Sequence, residues 1–66
     1  MNPLLSIIIP IYNSENYLPN CLDGILTAAL PAVELLLIDD GSTDRSLAIC
    51  RSYAQRYPFI YVESQS

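Results

Sequence analysis

Two short polar segments carry most of the side chains of this sequence that could do chemistry. Tyr12-Asn13-Ser14-Glu15-Asn16 follows one apolar run, and Asp39-Asp40-Gly41-Ser42-Thr43-Asp44 follows another. A carboxylate accepts hydrogen bonds from ring N–H groups and hydroxyls, and a tyrosine ring can stack on a base. If the segments lie side by side, they form a cleft suited to a nucleotide base and ribose. The side chains around that cleft would be Tyr12, Asn13, Glu15, Asp39 and Asp40.

Neither segment carries the usual means of binding a phosphate. The glycine-rich dinucleotide fingerprint and the P-loop are both absent from the sequence. Because the segments contain no lysine or arginine, a diphosphate bound here would need a metal ion to neutralise its charge. Asp39 and Asp40 could contribute ligands, but adjacent strand residues point to opposite faces, so the two need not share one ion.

Each acidic residue of these segments also has a structural interpretation. One of Asp39 and Asp40 could cap the following helix or hold the turn. Asp44 is expected to start that helix rather than to bind a ligand, and Glu15 could interact only with a helix dipole.

The other polar and aromatic residues also have structural interpretations. Asn13 is favoured as a turn or cap residue, and Tyr12 could pack over the edge of the sheet. Tyr53, Tyr57 and Tyr61 are most simply explained by packing in the core and at its rim.

Three apolar runs predict β-strands that would position these segments. Leu4–Ile11 and Val33–Ile38 are almost continuously apolar, which indicates strands of a parallel sheet that is buried on both faces. Pro10 cannot donate a ladder hydrogen bond and marks where pairing ends. Phe59–Glu63, rich in aromatic and β-branched residues, is the third strand.

Two helices are predicted between the strands. The first begins near Asn16 or Tyr17 and runs to about Ala28, and the second spans roughly Asp44 to Arg56, before Pro58. The apolar stripe of the first helix is formed by Leu18, Cys21, Leu22, Ile25, Leu26 and Ala29. The candidate caps are Asn13, Ser14 and Asn16 for the first helix, and Ser42, Thr43 and Asp44 for the second.

These elements predict an α/β fold in the order β-α-β-α-β. Right-handed crossovers that step in one direction give parallel strands in the order 3-2-1, with both helices on one face of the sheet. Both polar segments then lie at the carboxyl edge, where ligands collect in open α/β sheets. The chain supplies no helix for the second face, so the domain is expected to be incomplete, either a fragment or a protomer that needs a partner.

Composition excludes several functional classes. The 66-residue chain is 52% hydrophobic and has a net charge of −4 with only three basic residues. It therefore lacks the basic face of a nucleic-acid-binding protein and the polybasic patch of a membrane-surface protein. Cys21 and Cys50 fall at apolar helix positions and are predicted to be small core residues in a reducing compartment, without a disulfide.

Neither a leader nor a membrane span is expected in the sequence. Met1-Asn2-Pro3 lacks a charged signal-peptide region. The apolar stretch from Ile25 to Ile38 is shorter than the ~20 residues of a span and is interrupted by Pro31 and Glu34. We therefore expect a cytoplasmic protein, which regions outside this chain could place at the inner face of a membrane.

Read together, the motifs resemble the start of a family-2 glycosyltransferase. The strongest signal is Ser6-Ile-Ile-Ile-Pro-Ile-Tyr-Asn13 followed by Val33-Glu-Leu-Leu-Leu-Ile-Asp-Asp-Gly-Ser-Thr-Asp44. Tyr17-Leu18 and Cys21-Leu-Asp-Gly-Ile-Leu26 also resemble the first helix of that family. The likeness covers almost the whole chain.

This resemblance implies a GT-A fold with a Rossmann-like nucleotide-binding half. It also implies a nucleotide-sugar donor, often a UDP-sugar, and inverting transfer to an acceptor hydroxyl. Carried over to this sequence, Pro10-Ile11-Tyr12 would line the base pocket, partly through the backbone, and Glu15 would approach the ribose. One of the pair Asp39 and Asp40, with Asp40 favoured, would accept the uracil ring N–H.

The transfer chemistry of the family would lie outside this chain. The Asp-x-Asp motif that holds Mg²⁺ or Mn²⁺ on the diphosphate is expected roughly 35 to 60 residues further on, and the carboxylate base also comes later. Residues 1–66 would then be an N-terminal donor-binding segment with no metal site and no catalytic residue, inactive alone. Its expected partners are the nucleotide-sugar and either the rest of the catalytic domain or a self-association partner over the uncovered sheet face.

Two alternatives remain open from the sequence. The chain could be a stand-alone nucleotide-binding module that self-associates and has no catalytic activity. It could also be a receiver-like or flavodoxin-like piece in which Asp39 or Asp40 is a phosphoacceptor or metal ligand, although this class leaves the Pro-Ile-Tyr-Asn turn unexplained.

Overall fold

A computed structural model describes residues 5–28 and 33–65 of the chain. The elements alternate as predicted: β1 (Leu5–Ile11), α1 (Leu18–Thr27), β2 (Val33–Asp40), α2 (Ser46–Arg56) and β3 (Ile60–Gln65). Leu4 of the first predicted strand, Ala29 of the predicted stripe and the predicted connection Leu30-Pro31-Ala32 lie outside the described residues.

The three strands form one parallel sheet in which β2 is central, so the predicted order 3-2-1 is confirmed. The register pairs Ile11 of β1 with Asp39 of β2, and Asp39 with Ser64 of β3. The carboxyl ends of β1 and β2 therefore reach nearly the same level. Consequently the polar segments that follow them leave the sheet side by side.

The core lies between one face of the sheet and the two helices. On that face Ile11, Leu35, Leu37 and Ile60 are buried. The helices contribute Leu18, Leu22, Cys50 and Tyr53 to the same cluster. Alternate strand residues point into this cluster because successive side chains of a strand point to opposite faces.

The opposite face of the sheet is more exposed than the face that packs against the helices. Ile8 in β1 is 62% exposed and Tyr61 in β3 is 53% exposed, while Leu36 and Ile38 of β2 between them are half-buried. The prediction that the chain supplies no helix for this face is confirmed for the described residues. The prediction that β1 and β2 are buried on both faces is wrong within this chain, because the helices cover one face only.

The two cysteines differ in their environments. Both are free thiols, and Cys50 is buried as predicted, but Cys21 is exposed. The prediction of a core position for Cys21 is wrong because the buried stripe of α1 is narrow. At about 100° per residue, Cys21 lies about 60° to one side of Leu18, whereas Leu22 lies about 40° to the other side. Contact with the sheet and α2 falls on the Leu22 side.

Both helices begin differently from the prediction. α1 has Tyr17 as its N-cap residue, without a side-chain cap hydrogen bond. Its first turn is instead joined to the carbonyl of Ser14, which accepts the N–H groups of Tyr17 and Leu18 at 2.9 Å each. α2 begins at Ser46, two residues after the predicted start at Asp44. Of the residues that were predicted to be caps, Asn13, Ser42, Thr43 and Asp44 instead take part in hydrogen bonds between the two turns.

One partly buried hydrogen bond connects the two helices. The hydroxyl of Tyr53 on α2 donates to Asp23 Oδ1 on α1 at 2.7 Å. This hydrogen bond to Asp23, followed by burial and the negative charge of Asp23, raises the pKa of Tyr53. The Arg56 guanidinium lies 5.4 Å from the ring centre of Tyr57, a cation–π distance. In the part of the chain that the structure describes, neither helix is long and apolar enough to cross a membrane.

Candidate functional site

Asn13 joins the turn after β1 to the turn after β2. Its backbone has a φ of 45°, a left-handed conformation that asparagine tolerates better than most residues. Its N–H donates to Ser42 Oγ at 3.0 Å. Its side-chain Oδ1 accepts the N–H of Thr43 at 2.8 Å. One residue thus connects the two turns through both its backbone and its side chain.

Asp44 makes a second connection between the turns. Its Oδ2 accepts the N–H of Glu15 at 3.1 Å, and its Oδ1 accepts the N–H of Ser46 at 2.9 Å. Next to it, Ser14 donates its N–H to Ser46 Oγ at 2.7 Å. Asp44 therefore holds the start of α2 as well as the turn after β1, in agreement with its predicted structural role. The two turns form one hydrogen-bonded unit, here called the turn unit.

The hydrogen bonds set the ionisation of Asp44. Partial burial would raise its pKa, but the hydroxyl and N–H of Ser46 and the N–H of Glu15 together lower that pKa below 3.8. A carboxylate with a lowered pKa in the folded state stabilises the fold above its unfolded pKa. The stabilisation is lost as the pH falls through the folded value.

Replacing Asp44 with asparagine is therefore expected to cost stability at neutral pH and progressively less at acidic pH. Asparagine offers one acceptor oxygen, and its amide would face a backbone N–H donor. Thermal melts of both proteins between pH 7 and about pH 2 test this. The gap between the two melting temperatures should narrow below the ordinary pKa of 3.8. A gap of constant size would contradict the role of the ionised carboxylate.

Asp39 is directed into the fold. It is 2% exposed, and its Oδ2 accepts the N–H of Ser42 at 3.1 Å. Its Oδ1 has no hydrogen-bond partner among the described residues. Burial, reinforced by the nearby charge of Asp39, raises the pKa of Cys50 to about 11, so the thiol is neutral. Gly41 in this turn has a φ of 77°, a left-handed conformation that glycine adopts readily. The buried carboxylate of Asp39 stabilises the turn through its hydrogen bond to Ser42.

Asp40 lies on the other side of β2 and is exposed. The strand alternation that buries Leu35, Leu37 and Asp39 directs the next residue outward. The two aspartates thus differ in environment: Asp39 is enclosed and hydrogen-bonded, whereas the carboxylate of Asp40 is available to a ligand. Because they point to opposite faces, they do not form a joint site for one ion.

The remaining predicted site residues are placed in different ways. Tyr12 is 60% exposed, and its carbonyl accepts the hydroxyl of Ser14 at 3.0 Å. Pro10 is exposed, and Glu15 is half-buried. The side chain of Ile11 is buried in the core, so only its backbone can reach a ligand. The exposed groups that the turn unit presents at the sheet edge are therefore the Tyr12 ring and the Asp40 carboxylate.

The described residues of this chain do not fit a divalent metal ion. Within residues 5–28 and 33–65, no group of three histidine, cysteine, aspartate or glutamate side chains could hold one. Adjacent carboxylates at 39 and 40 diverge, and Asp44 already accepts two backbone hydrogen bonds. A metal ion that acts on a bound diphosphate would need ligands from other residues.

A shallow depression of about 290 Å³ lies elsewhere, between α1 and α2. It contains none of the predicted site residues. Its lining residues are Pro19, Arg45, Ala48, Ile49, Ser52 and Tyr53. The sheet edge, rather than this depression, holds the concentration of polar groups.

The hydrogen-bonded connection between the turns was not predicted from the sequence. Asn13, Ser42, Thr43 and Asp44 were interpreted one by one, as turn and cap residues. A usable signal was present, since both segments are rich in short polar side chains. Such side chains bond nearby backbone groups, and parallel strands bring the two segments together.

The order and placement of these motifs are matched by a known family. Residues 6–66 match the model of the family described as glycosyl transferase family 2. The chain belongs to glycosyltransferase family 2. The family match spans both turns and all five elements of the fold. The resemblance that the sequence motifs indicated is therefore confirmed.

Curated relatives agree with the family 2 assignment. Glycosyltransferase GlyA of Streptococcus pneumoniae is 38% identical over 63 residues, which is 94% of this chain and 9% of that protein. The uncharacterised glycosyltransferase EpsJ of Bacillus subtilis is 42% identical over 66 residues, 100% of this chain and 19% of EpsJ. The minor teichoic acid biosynthesis protein GgaA of Bacillus subtilis is 50% identical over 58 residues, 83% of this chain and 13% of GgaA. The chain thus spans 9–19% of the length of these relatives.

Proposed function

We propose that the joined turns after β1 and β2 bind the nucleotide of a nucleotide-sugar donor, with uracil as the favoured base. The observation that carries this proposal is the hydrogen-bonded turn unit, which presents an exposed aromatic ring and an exposed carboxylate at the carboxyl edge of a parallel sheet. Membership of glycosyltransferase family 2 supports it. The parent activity would be inverting transfer of the sugar to an acceptor hydroxyl by a GT-A enzyme.

In this proposal the carboxylate of Asp40 accepts the ring N–H of uracil, and the ring of Tyr12 stacks on the base. Glu15 approaches the ribose hydroxyls. Pro10 lines the base pocket, and Ile11 contributes through its backbone because its side chain is buried. Asp39 holds the turn and does not contact the base.

The chemistry of Asp40 gives the site a preference among pyrimidines. Uracil has a hydrogen on the ring nitrogen between its two carbonyls, whereas the corresponding nitrogen of cytosine is a hydrogen-bond acceptor. A carboxylate attracts the first and repels the second. A site that hydrogen-bonds one ligand discriminates strongly against an analogue that leaves its polar group unpaired. UDP should therefore bind more tightly than CDP.

The diphosphate receives little help from this chain. No lysine or arginine lies in either turn segment, and the described residues do not form a metal site. A Mg²⁺ or Mn²⁺ ion held by other residues of the parent enzyme would neutralise the diphosphate charge. The binding of UDP to this chain alone is therefore expected to be weak, and sugar transfer by this chain alone is not expected.

Titration of UDP into the ¹⁵N-labelled chain tests the proposal. Amide shifts should concentrate in residues 10–15 and 39–44, and CDP at the same concentration should produce smaller shifts. The shared ribose and diphosphate serve as the internal control for base recognition. Shifts spread over α2 and β3 instead, or equal responses to UDP and CDP, would contradict the proposed site.

A further inference from the structure

The positively charged side chains of this protein are confined to α2. Its three basic residues are Arg45, the N-cap residue of α2, and Arg51 and Arg56 within the helix. No acidic residue occurs between positions 45 and 62, although the chain as a whole has a net charge of −4. The outer side of α2 is therefore a locally positive surface on an acidic protein, and such a surface attracts an acidic partner.

Two of these arginines lie at the ends of the depression between α1 and α2. At about 100° per residue, Arg45, Ile49, Ser52 and Arg56 fall within about 60° of one another around the axis of α2. The first three of them line the depression. The guanidinium of Arg56 lies 6.0 Å from the ring centre of Tyr53, which also lines it. This stripe of α2 is thus uncharged in the middle and has a cation at each end.

The side of the helices that holds the depression is an outer layer of the fold. The inner side of the helices packs on the sheet through buried side chains. The outer side is mostly polar and exposed, which is typical of a helix surface that faces solvent. Its exposed polar residues include Asn20, Asp23 and Thr27 of α1 and Arg51, Ser52 and Gln55 of α2. The depression, with Pro19, Ala48 and Ile49 in its lining, is an apolar site within this polar surface.

We propose that the depression binds an acidic amphipathic helix of a partner protein. Ala48 and Ser52 are small, exposed and one turn apart on α2, so that another helix can approach α2 closely. Large apolar side chains of the partner would fill the depression. Carboxylates of the partner would pair with Arg45 and Arg56, whose planar guanidinium groups suit bidentate hydrogen bonds to a carboxylate.

The spacing of the two arginines sets the pattern of the partner helix. Arg45 and Arg56 are eleven residues apart, which corresponds to about 16 Å along the axis of α2 at ~1.5 Å per residue. In a helix that lies alongside α2, two carboxylates eleven residues apart span the same distance. The positions four and seven residues after the first carboxylate lie on the same face between them. The partner should therefore carry two apolar residues at these positions.

A second copy of this chain does not supply this pattern. Among the described helical residues, α1 contains one acidic residue, Asp23, and α2 contains none. An anionic membrane is also disfavoured as the partner. The net charge of −4 opposes its approach, and lipid headgroups offer no apolar side chain to the depression.

Two designed peptides test the proposal on the ¹⁵N-labelled 66-residue chain. Both are helices of about 18 residues with leucine at the two central positions, and the flanking pair is glutamate in one and lysine in the other. The glutamate peptide should bind and shift the amide signals of residues 45–56, more weakly as salt is raised, whereas the lysine peptide should not bind. The double variant Arg45→Gln and Arg56→Gln should weaken binding of the glutamate peptide roughly three- to tenfold.

Two further variants separate this site from a general effect of charge. Arg51→Gln also removes a positive charge from α2, but it lies about 120° from Arg45 around the helix and should leave binding unchanged. Ser52→Trp fills the depression from an exposed position. It should abolish binding of the glutamate peptide, while the melting temperature of the chain is retained.

A charge reversal gives the most specific result. With Arg45→Glu and Arg56→Glu, the preference should switch to the lysine peptide. If a variant lacks a cooperative melt, the comparison is made from the gain in melting temperature that each peptide produces. The proposal would be overturned if the glutamate peptide failed to bind, if both peptides gave equal responses, or if Arg51→Gln weakened binding as much as Arg45→Gln. Binding to vesicles of anionic phospholipid without binding of the glutamate peptide would assign these arginines to a membrane instead.

Discussion

The Leu37→Ala variant is expected to lose most or all of its cooperative folding at ordinary temperatures. Leu37 is fully buried at the centre of β2, in the middle of the one-sided core. Truncation of a buried leucine to alanine typically costs about 2–5 kcal/mol, because the lost contacts leave a cavity. A chain of this size has a total stability of only about 3–10 kcal/mol. The loss is thus comparable to the whole free energy of unfolding.

The adjacent residue is the matched control for this variant. Ile38 has the same number of carbon atoms as Leu37, but it points to the sheet face opposite α1 and α2, where no described helix packs against it. Ile38→Ala is therefore expected to cost well under half as much as Leu37→Ala. Urea unfolding followed by circular dichroism measures both losses. Equal losses would show that the sheet face opposite the two helices is already buried in solution.

The contrast between these neighbours shows what the sequence could and could not predict about the fold. The order of elements and the parallel sheet follow from apolar runs and their spacing. The sequence does not show which side of β2 faces the core, because Leu35, Leu36, Leu37 and Ile38 are all apolar. Only the position of the helices decides which of them are enclosed. The prediction for Cys21 was wrong for the same reason, because the apolar stripe of a helix does not show how much of it contacts the sheet.

The candidate site was predictable in its location but not in its internal arrangement. Strand ends and the polar segments after them brought Tyr12, Glu15 and the aspartate pair to one edge. The sequence left open which of Asp39 and Asp40 has a structural role. Their burial differs, since Asp39 is enclosed in the fold and Asp40 is exposed. The hydrogen bonds of Asn13 and Asp44 depend on the level at which β1 and β2 end, which is a property of sheet register. These hydrogen bonds join the two turns into one unit. Helix-cap preferences of single residues do not predict such a connection.

The Asp40→Ala variant is expected to lose about 10- to 100-fold in affinity for UDP. Hydrogen bonds to charged groups contribute about 1.5–3 kcal/mol, and each 1.4 kcal/mol corresponds to a factor of ten. Because Asp40 is exposed and makes no hydrogen bond to the described chain, its removal should leave the free energy of unfolding nearly unchanged. The variant thereby separates recognition from folding.

Asp23→Asn is the charge-matched control for Asp40→Ala. It also removes one carboxylate charge, and the asparagine Oδ1 can still accept the hydroxyl of Tyr53. Asp23 lies on α1, away from the turn unit, so UDP affinity should be retained. Calorimetric titration of UDP and CDP into all three proteins provides the measurement. Asp40→Ala should also remove the preference for UDP over CDP, because the carboxylate is the group that distinguishes the two ring nitrogens. If the variant kept that preference while it stayed folded, uracil recognition would have to lie elsewhere in the turn unit, with the half-buried Glu15 as the next candidate carboxylate.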